Sequence, residues 1–136
     1  MLGRTRLAAT VVAATALIAP PALTDAQAAV RRAVGLGNGD AGRAVTVRSG
    51  DTVRVSLKAV PGDGMNWVWD EPTTSDGQVL SRSSVRTVAN GDAEATFHAQ
   101  AAGRAAVTAH RRCVVTAPGH VCPRAVALWN VTLDVR

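Results

Sequence analysis

Two cysteines and two histidines lie close together late in the sequence, and they are the side chains best suited to chemistry. Cys113 and Cys122 enclose a short segment that contains Pro118-Gly119, with His110 and His120 nearby. Two Cys and two His could hold a tetrahedral zinc ion. However, the His-x-x-Cys spacing on a strand sends the two side chains to opposite faces. A disulfide between the cysteines is the favoured interpretation, with zinc and free thiols as the alternatives.

The first 28 residues bear on this choice because they predict export. Arg4 and Arg6 precede an apolar run over residues 7–19, and Ala26-Gln27-Ala28 forms a small-x-small cleavage site, as in a secretory signal peptide. The apolar run is shorter than the roughly 20 residues that span a membrane. We therefore expect a protein secreted to the extracellular or cell-envelope side after cleavage near Ala28, without a membrane anchor. Disulfides persist in such oxidising spaces, which favours the bond over zinc.

No pattern in the sequence predicts catalysis. His98 falls on the outward side of its predicted strand, and a bridged Cys113 has no thiolate for nucleophilic attack. There is no Gly-x-Ser-x-Gly elbow, and no glycine-rich loop opens a helix. The net charge of +5 comes without basic clusters interleaved with aromatic residues. We therefore expect neither an enzyme nor a nucleic-acid-binding protein, and we expect no metal or cofactor.

The frame that must position these residues is predicted to be all-β. Apolar residues alternate with polar ones, which is typical of strands with one buried face. The clearest inward sets are Val45 and Val47; Val53, Val55 and Leu57; Ala93, Ala95, Phe97 and Ala99; and Ala127, Trp129, Val131, Leu133 and Val135. With the intervening turn signals they predict an immunoglobulin-like β-sandwich of about seven strands. Its large core anchors should be Trp67, Trp69, Phe97 and Trp129.

Three parts of the chain differ in composition. Residues 1–28 form the signal peptide, residues 29–43 read as a flexible Gly-rich leader, and residues 44–136 form one sandwich domain. We expect a monomer.

Three loops, residues 60–66, 88–92 and 113–122, should cluster at one end of the sandwich. Neighbouring loops on a stiff frame make a recognition edge.

Several short motifs carry a resemblance to a known family. They are Ser49-Gly50-Asp51-Thr52-Val53, Val60-Pro61-Gly62-Asp63-Gly64-Met65-Asn66-Trp67, Asn90-Gly91-Asp92 before Phe97, Arg112-Cys113-Val114, and the closing strand from Trp129. Over residues 45–135 the sequence resembles the chagasin-type inhibitors of papain-like cysteine peptidases, which are secreted or periplasmic immunoglobulin-like sandwiches. The resemblance implies an inhibitor that occludes the peptidase cleft with three loops.

Carried over by position, the resemblance implies a set of peptidase-binding residues. These are Pro61, Gly62, Asp63, Gly64, Met65, Asn90, Gly91, Asp92, Arg112 and Val114. Several loop positions depart from the family pattern: Gly62-Asp63 replaces Thr-Thr, Met65 replaces Tyr, and a cysteine-closed loop replaces the third loop's Pro-Trp. The alternative is therefore an exported immunoglobulin-like binding module without peptidase-inhibitory activity.

Overall fold

A computed structural model describes residues 10–11, 13–19 and 30–136. Within these residues, regular structure consists of ten β-strands and one short 3-10 helix over Asn38–Asp40. The strands are β1 (Ala33–Leu36), β2 (Ala44–Val47), β3 (Thr52–Leu57), β4 (Val60–Gly62), β5 (Met65–Trp69), β6 (Thr73–Thr74), β7 (Leu80–Thr87), β8 (Ala93–Ala99), β9 (Gly103–Val115) and β10 (Ala127–Val135). The proposed signal peptide and its cleavage site lie mostly outside the described residues. Among those described, no helix has the length and apolar character needed to cross a membrane.

The strands form two sheets that pack face to face. The first has the order β1-β3-β8-β7, and the second has the order β2-β10-β9-β5-β4, with β6 paired to β9 off this path. Pairing is antiparallel except at two edges, where β1 runs parallel to β3 and β2 runs parallel to β10. The predicted immunoglobulin-like sandwich is confirmed, with some very short strands raising the number above the expected seven or so.

The core is built from the alternating apolar positions that the sequence predicted. Both sheets contribute to a single buried cluster. Its fully enclosed members include Val53, Val55, Leu57, Phe97, Val107, Trp129, Val131 and Leu133. Many of the other inward positions are alanines, so the large side chains fill most of the space between the sheets.

Three of the four predicted aromatic anchors are confirmed. Phe97 and Trp129 are fully buried, and Trp69 is only 6% exposed. Trp67 is half-buried, so its assignment to the core is wrong. The reason is its position along the sheet. The Nε1–H of Trp69 already reaches the carbonyl of Lys58, just beyond the end of β3, and Trp67 lies two residues further out.

The segment predicted to be a flexible leader contains β1, so that part of the prediction is wrong. Leu36 is buried in the core, and the Gly37 carbonyl accepts a hydrogen bond of 3.0 Å from Nε1–H of Trp129. Glycines concealed this strand, because only Val34 and Leu36 alternate between Gly35 and Gly37. This strand is stabilised by backbone pairing with β3 rather than by an apolar run in its sequence.

Asp51 joins β1 to the turn before β3. Its carboxylate accepts hydrogen bonds from the backbone N–H of Arg32 at 3.0 Å and of Arg48 at 2.9 Å. These backbone donors, that of Arg48 first, hold the pKa of Asp51 below its usual range. The Gly-Asp of this turn, noticed for its resemblance to a family motif, therefore has a structural role.

Candidate partner-binding edge

The first loop is a tight β-hairpin between β4 and β5. Most of residues 60–66 belong to these two strands, and only Asp63 and Gly64 lie between them. Gly64 has a φ of +64°, a conformation that glycine adopts without strain. Of the predicted contact residues here, Pro61, Gly62 and Asp63 are exposed, while Gly64 and Met65 are half-buried. Asp63 thus forms an exposed tip on a paired hairpin.

The third loop was predicted over residues 113–122; in the structure it runs from 116 to 126, between β9 and β10, and it packs against this hairpin. The Gly64 carbonyl accepts hydrogen bonds from the N–H of Thr116 at 2.9 Å and of Ala117 at 3.3 Å. A Cβ added at Gly64 would lie 2.3 Å from the imidazole of His120. The glycine is therefore required by contact as well as by its φ, and a bulky residue there would displace the third loop.

The predicted disulfide is confirmed. Cys113, opposite Trp67 in the β5–β9 ladder, is bonded to Cys122 with a Cα–Cα distance of 5.6 Å. The bond closes the third loop and keeps His120 within reach of the hairpin. Because both sulfurs are bonded to each other, they do not serve as zinc thiolates. Within the described residues, no group of His, Cys, Asp or Glu side chains is arranged to hold a metal ion.

The second loop, residues 88–92, continues the edge on the other side of β5. The Gly91 carbonyl accepts the N–H of Trp69 at 2.9 Å, and the Asn90 carbonyl accepts a hydrogen bond from the Asn66 side chain at 2.9 Å. A Cβ added at Gly91 would lie 2.4 Å from Val68. The second loop, which belongs to the first sheet, is thereby fixed to the second sheet.

Asp92 stabilises this loop through side-chain contacts. Its carboxylate accepts the backbone N–H of Ala59 at 2.7 Å, contacts the Asn90 amide at 3.2 Å, and lies 3.4 Å from Nζ of Lys58. The Ala59 hydrogen bond, followed by those from Asn90 and Lys58, lowers the pKa of Asp92. Asp92 therefore holds the loop in place rather than presenting a free charge.

Arg112 and Val114 lie below the edge, on the outer face of β9. Arg112 Nε is 3.3 Å from Oδ1 of Asp70, and both side chains are exposed. Together with Val68 and Val88 they line an open groove of about 490 Å³ between the second loop and the outer face of the second sheet. The structure thus places these two predicted contact residues beside the tip of the hairpin rather than on it.

Arg111 was missed by sequence reasoning. Its guanidinium lies over the rings of Trp67 and Trp69, 5.3 Å and 5.6 Å from their centroids. The signal was present, because the alternation that buries Val107 and Ala109 in β9 also turns Arg111 inward. The twin arginines therefore point to opposite faces of the sheet.

The predicted contact residues of the first two loops meet at one end of the sandwich, with Arg112 and Val114 below them on β9, and the residues differ in exposure. Pro61, Gly62, Asp63, Asn90, Arg112 and Val114 are exposed, whereas Gly64, Gly91 and Asp92 hold the loops together. Any role of these residues in binding a peptidase stays a prediction.

This fold is similar to those of several solved structures. The cysteine protease inhibitor EhICP2 from Entamoeba histolytica aligns with a TM-score of 0.53 at 12% identity, covering 79% of this chain and 98% of that chain. Amebosin aligns with a TM-score of 0.51 at 15% identity, covering 78% and 98%. The fold is that of the chagasin-type inhibitors. PbICP-C, solved in complex with falcipain-2, has a TM-score of 0.46 at 10% identity, covering 77% and 99%. No protein-family model matches the sequence, and no curated protein is significantly similar to it.

Proposed function

We propose that this protein is an exported inhibitor of papain-like cysteine peptidases that enters the catalytic cleft with its three-loop edge. The observation that carries the proposal is the mutual fixation of the loops. The third loop is held on Gly64, and the second loop is held on Asn66 and Trp69. A rigid edge loses little conformational entropy on docking, which is a general route to tight binding.

The fold gives the proposal its target class. EhICP2 is a cysteine protease inhibitor, and PbICP-C is a partner of falcipain-2. An inhibitor that occludes the cleft of a peptidase needs no catalytic group of its own. Asp63 and its neighbours Pro61 and Gly62 form the exposed tip that would lie nearest to the peptidase's catalytic residues.

Inhibition by the mature protein, residues 29–136, is the direct test. Titration against a panel of papain-like peptidases should give reversible inhibition at micromolar concentration or below. A folded, disulfide-bonded protein that inhibits none of the panel at micromolar concentration would refute the proposal.

A pair of variants tests whether the edge is responsible. Asp63→Trp adds bulk at the exposed hairpin tip, and Gln100→Trp adds the same bulk at an exposed position just after β8, at the opposite end of that strand from Asp92. Asp63→Trp should weaken inhibition at least tenfold, whereas Gln100→Trp should leave it unchanged. Equal effects of the two variants would show that another surface binds.

A second candidate function is binding of a non-peptidase partner by the same edge. It is favoured by one observation: the third loop is closed by a disulfide and packs on the hairpin through His120, where the family pattern has Pro-Trp. In that case the panel titration would show no inhibition, while the loop variants would still alter binding to the actual partner.

A further inference from the structure

Arg111 is a cation without a partner among the residues that the structure describes. Several arginines form ion pairs with carboxylates, as Arg112 does with Asp70 and Arg86 with Glu94, and others that form none with the described residues, such as Arg54 and Arg104, are exposed to water. For Arg111 the described residues supply neither an ion pair nor a hydrogen bond, and its buried Nε–H has no acceptor. It is also half-buried, unlike its exposed neighbour Arg112.

The two tryptophans do not satisfy this guanidinium. Their rings attract the positive charge through the faces of the indoles, at 5.3 Å and 5.6 Å. A ring face does not accept the in-plane N–H groups as an oxygen does, so the buried Nε–H has no acceptor among the described residues. A guanidinium between aromatic walls is well suited to bind a planar, two-oxygen anion in a low-dielectric setting.

The described carboxylates at this end make no ion pair with Arg111. Asp92 is held by the Ala59 N–H, Asp70 lies on the outer face with Arg112, and Asp63 is exposed in the turn of the hairpin. The sequence contains no Asp or Glu between Glu94 and Asp134, so β9 and the third loop carry no acidic side chain. An anion that complements the charge of Arg111 would therefore have to come from another molecule.

The position of Arg111 connects it to the three-loop edge. It is paired with Trp69 in β5 and with Ala127 in β10, and the next inward residue along β9 is Cys113 of the disulfide. Trp67, opposite Cys113, is half-buried, so part of its side chain is accessible to solvent at this end of the β5–β9 ladder.

We propose that Arg111, walled by Trp67 and Trp69, is a binding site for a carboxylate of the partner protein, contributed by an Asp or Glu side chain. The partner's identity as a peptidase rests on the proposed function above, whereas the carboxylate site itself does not. In this proposal the positive charge that anchors the partner belongs to Arg111. The family resemblance points instead to Arg112.

The probe for this site is N-acetylglutamate, with N-acetylglutamine as its uncharged counterpart. The ¹⁵N-labelled protein, residues 29–136, is titrated with each at constant ionic strength set by sodium chloride. We expect a saturable shift of the Arg111 Nε–H and Trp67 indole N–H resonances with the carboxylate only. Equal shifts with both probes, or shifts spread over all arginines, would overturn the proposal.

Matched lysine variants distinguish the hydrogen-bonding geometry of the guanidinium from its positive charge, because lysine keeps only the charge. Arg111→Lys should weaken probe binding at least fivefold, and Arg112→Lys should leave it unchanged. The melting temperature of each variant reports folding. If Arg111→Lys does not fold, Trp67→Leu takes its place and should also weaken binding, because it removes one aromatic wall. Unchanged binding in the folded variant contradicts the site.

The peptidase assay distinguishes this inference from the proposed function. If the protein inhibits peptidases and folded Arg111→Lys inhibits equally well, the carboxylate site is wrong and the function stands. If the probe binds at Arg111 but no peptidase is inhibited, the site stands and the function is wrong.

Discussion

The imidazole of His120 lies against Gly64, so close that a Cβ added to the glycine would be 2.3 Å from the ring. This contact links the disulfide-closed third loop to the turn of the first hairpin. Because the Gly64 carbonyl also accepts two backbone N–H groups from the third loop, the two loops form one unit. The conformation of the exposed tip therefore depends on residues that are more than fifty positions later in the sequence.

Gly64→Ala should destabilise the protein more than Gly119→Ala. Both glycines have positive φ values, +64° and +82°, but a Cβ at Gly119 would meet no atom within 4 Å. We expect a loss of about 1–2 kcal/mol for Gly119→Ala from backbone strain and about 1–3 kcal/mol more for Gly64→Ala from the contact. Urea unfolding measures both losses. Removing the ring with His120→Ala should cancel the extra loss, and identical losses in the two single variants would contradict the contact.

Removal of the disulfide should loosen the edge while the sandwich remains folded. Both cysteines lie outside the buried core, and the ring they close is short, with a sequence separation of 9. Loop-closure entropy predicts a loss of about 2.5–3 kcal/mol for the Cys113→Ala, Cys122→Ala variant. Its unfolding free energy and far-ultraviolet circular dichroism check this. Two free thiols in the denatured, unreduced wild type would contradict the bond itself.

A protein beginning at Ala44 should be less stable than one beginning at Ala29. The shorter protein loses β1, the buried Leu36 side chain and the carbonyl that accepts Trp129 Nε1–H. We expect a loss of about 2–4 kcal/mol from apolar burial and the lost hydrogen bond. Urea unfolding of the two proteins provides the comparison. Equal stability would mean that residues 29–43 are a dispensable leader, as the sequence first suggested.

Asp92 should contribute to the loss of stability in acid. Its folded pKa is lowered from 3.8, chiefly by the Ala59 N–H, so its carboxylate stabilises the fold fully above the unfolded pKa. This contribution should disappear as the pH falls through the lowered folded pKa. In urea unfolding between about pH 6 and pH 2, Asp92→Asn should therefore show a shallower acid decline than the wild type. Asp63→Asn, at the exposed hairpin tip, is the matched control and should follow the wild type; a wild-type slope in Asp92→Asn would refute the assignment.

The strands with strict alternation could be predicted from the sequence, and those stabilised by pairing alone could not. β10 coincides with the predicted inward set from Ala127 to Val135. β6 escaped because two threonines in a turn-rich segment carry no period; it is held by its pairing with β9.

Prediction of the candidate site was limited in the same way, because part of it depends on contacts between distant segments. The predicted export of a chain with two cysteines favoured their bond, and the three loops were predicted to lie at one end. Periodicity correctly gives a residue's face but not where the opposing sheet stops, which is why Trp67 was assigned to the core. The alternation in β9 gives the inward direction of Arg111, but its contact with the two tryptophans, like the contact of His120 with Gly64, joins distant segments and is not encoded by a local pattern.

The central claim is that the three-loop edge occupies a peptidase's catalytic cleft. Its most direct test is binding of the mature protein, residues 29–136, to one papain-like peptidase in two forms, with the cleft free and with the catalytic cysteine covalently blocked by a small inhibitor that fills the cleft. We predict that blocking the cleft weakens binding at least a hundredfold. Equal binding to both forms, or no binding to the free form, would contradict the account.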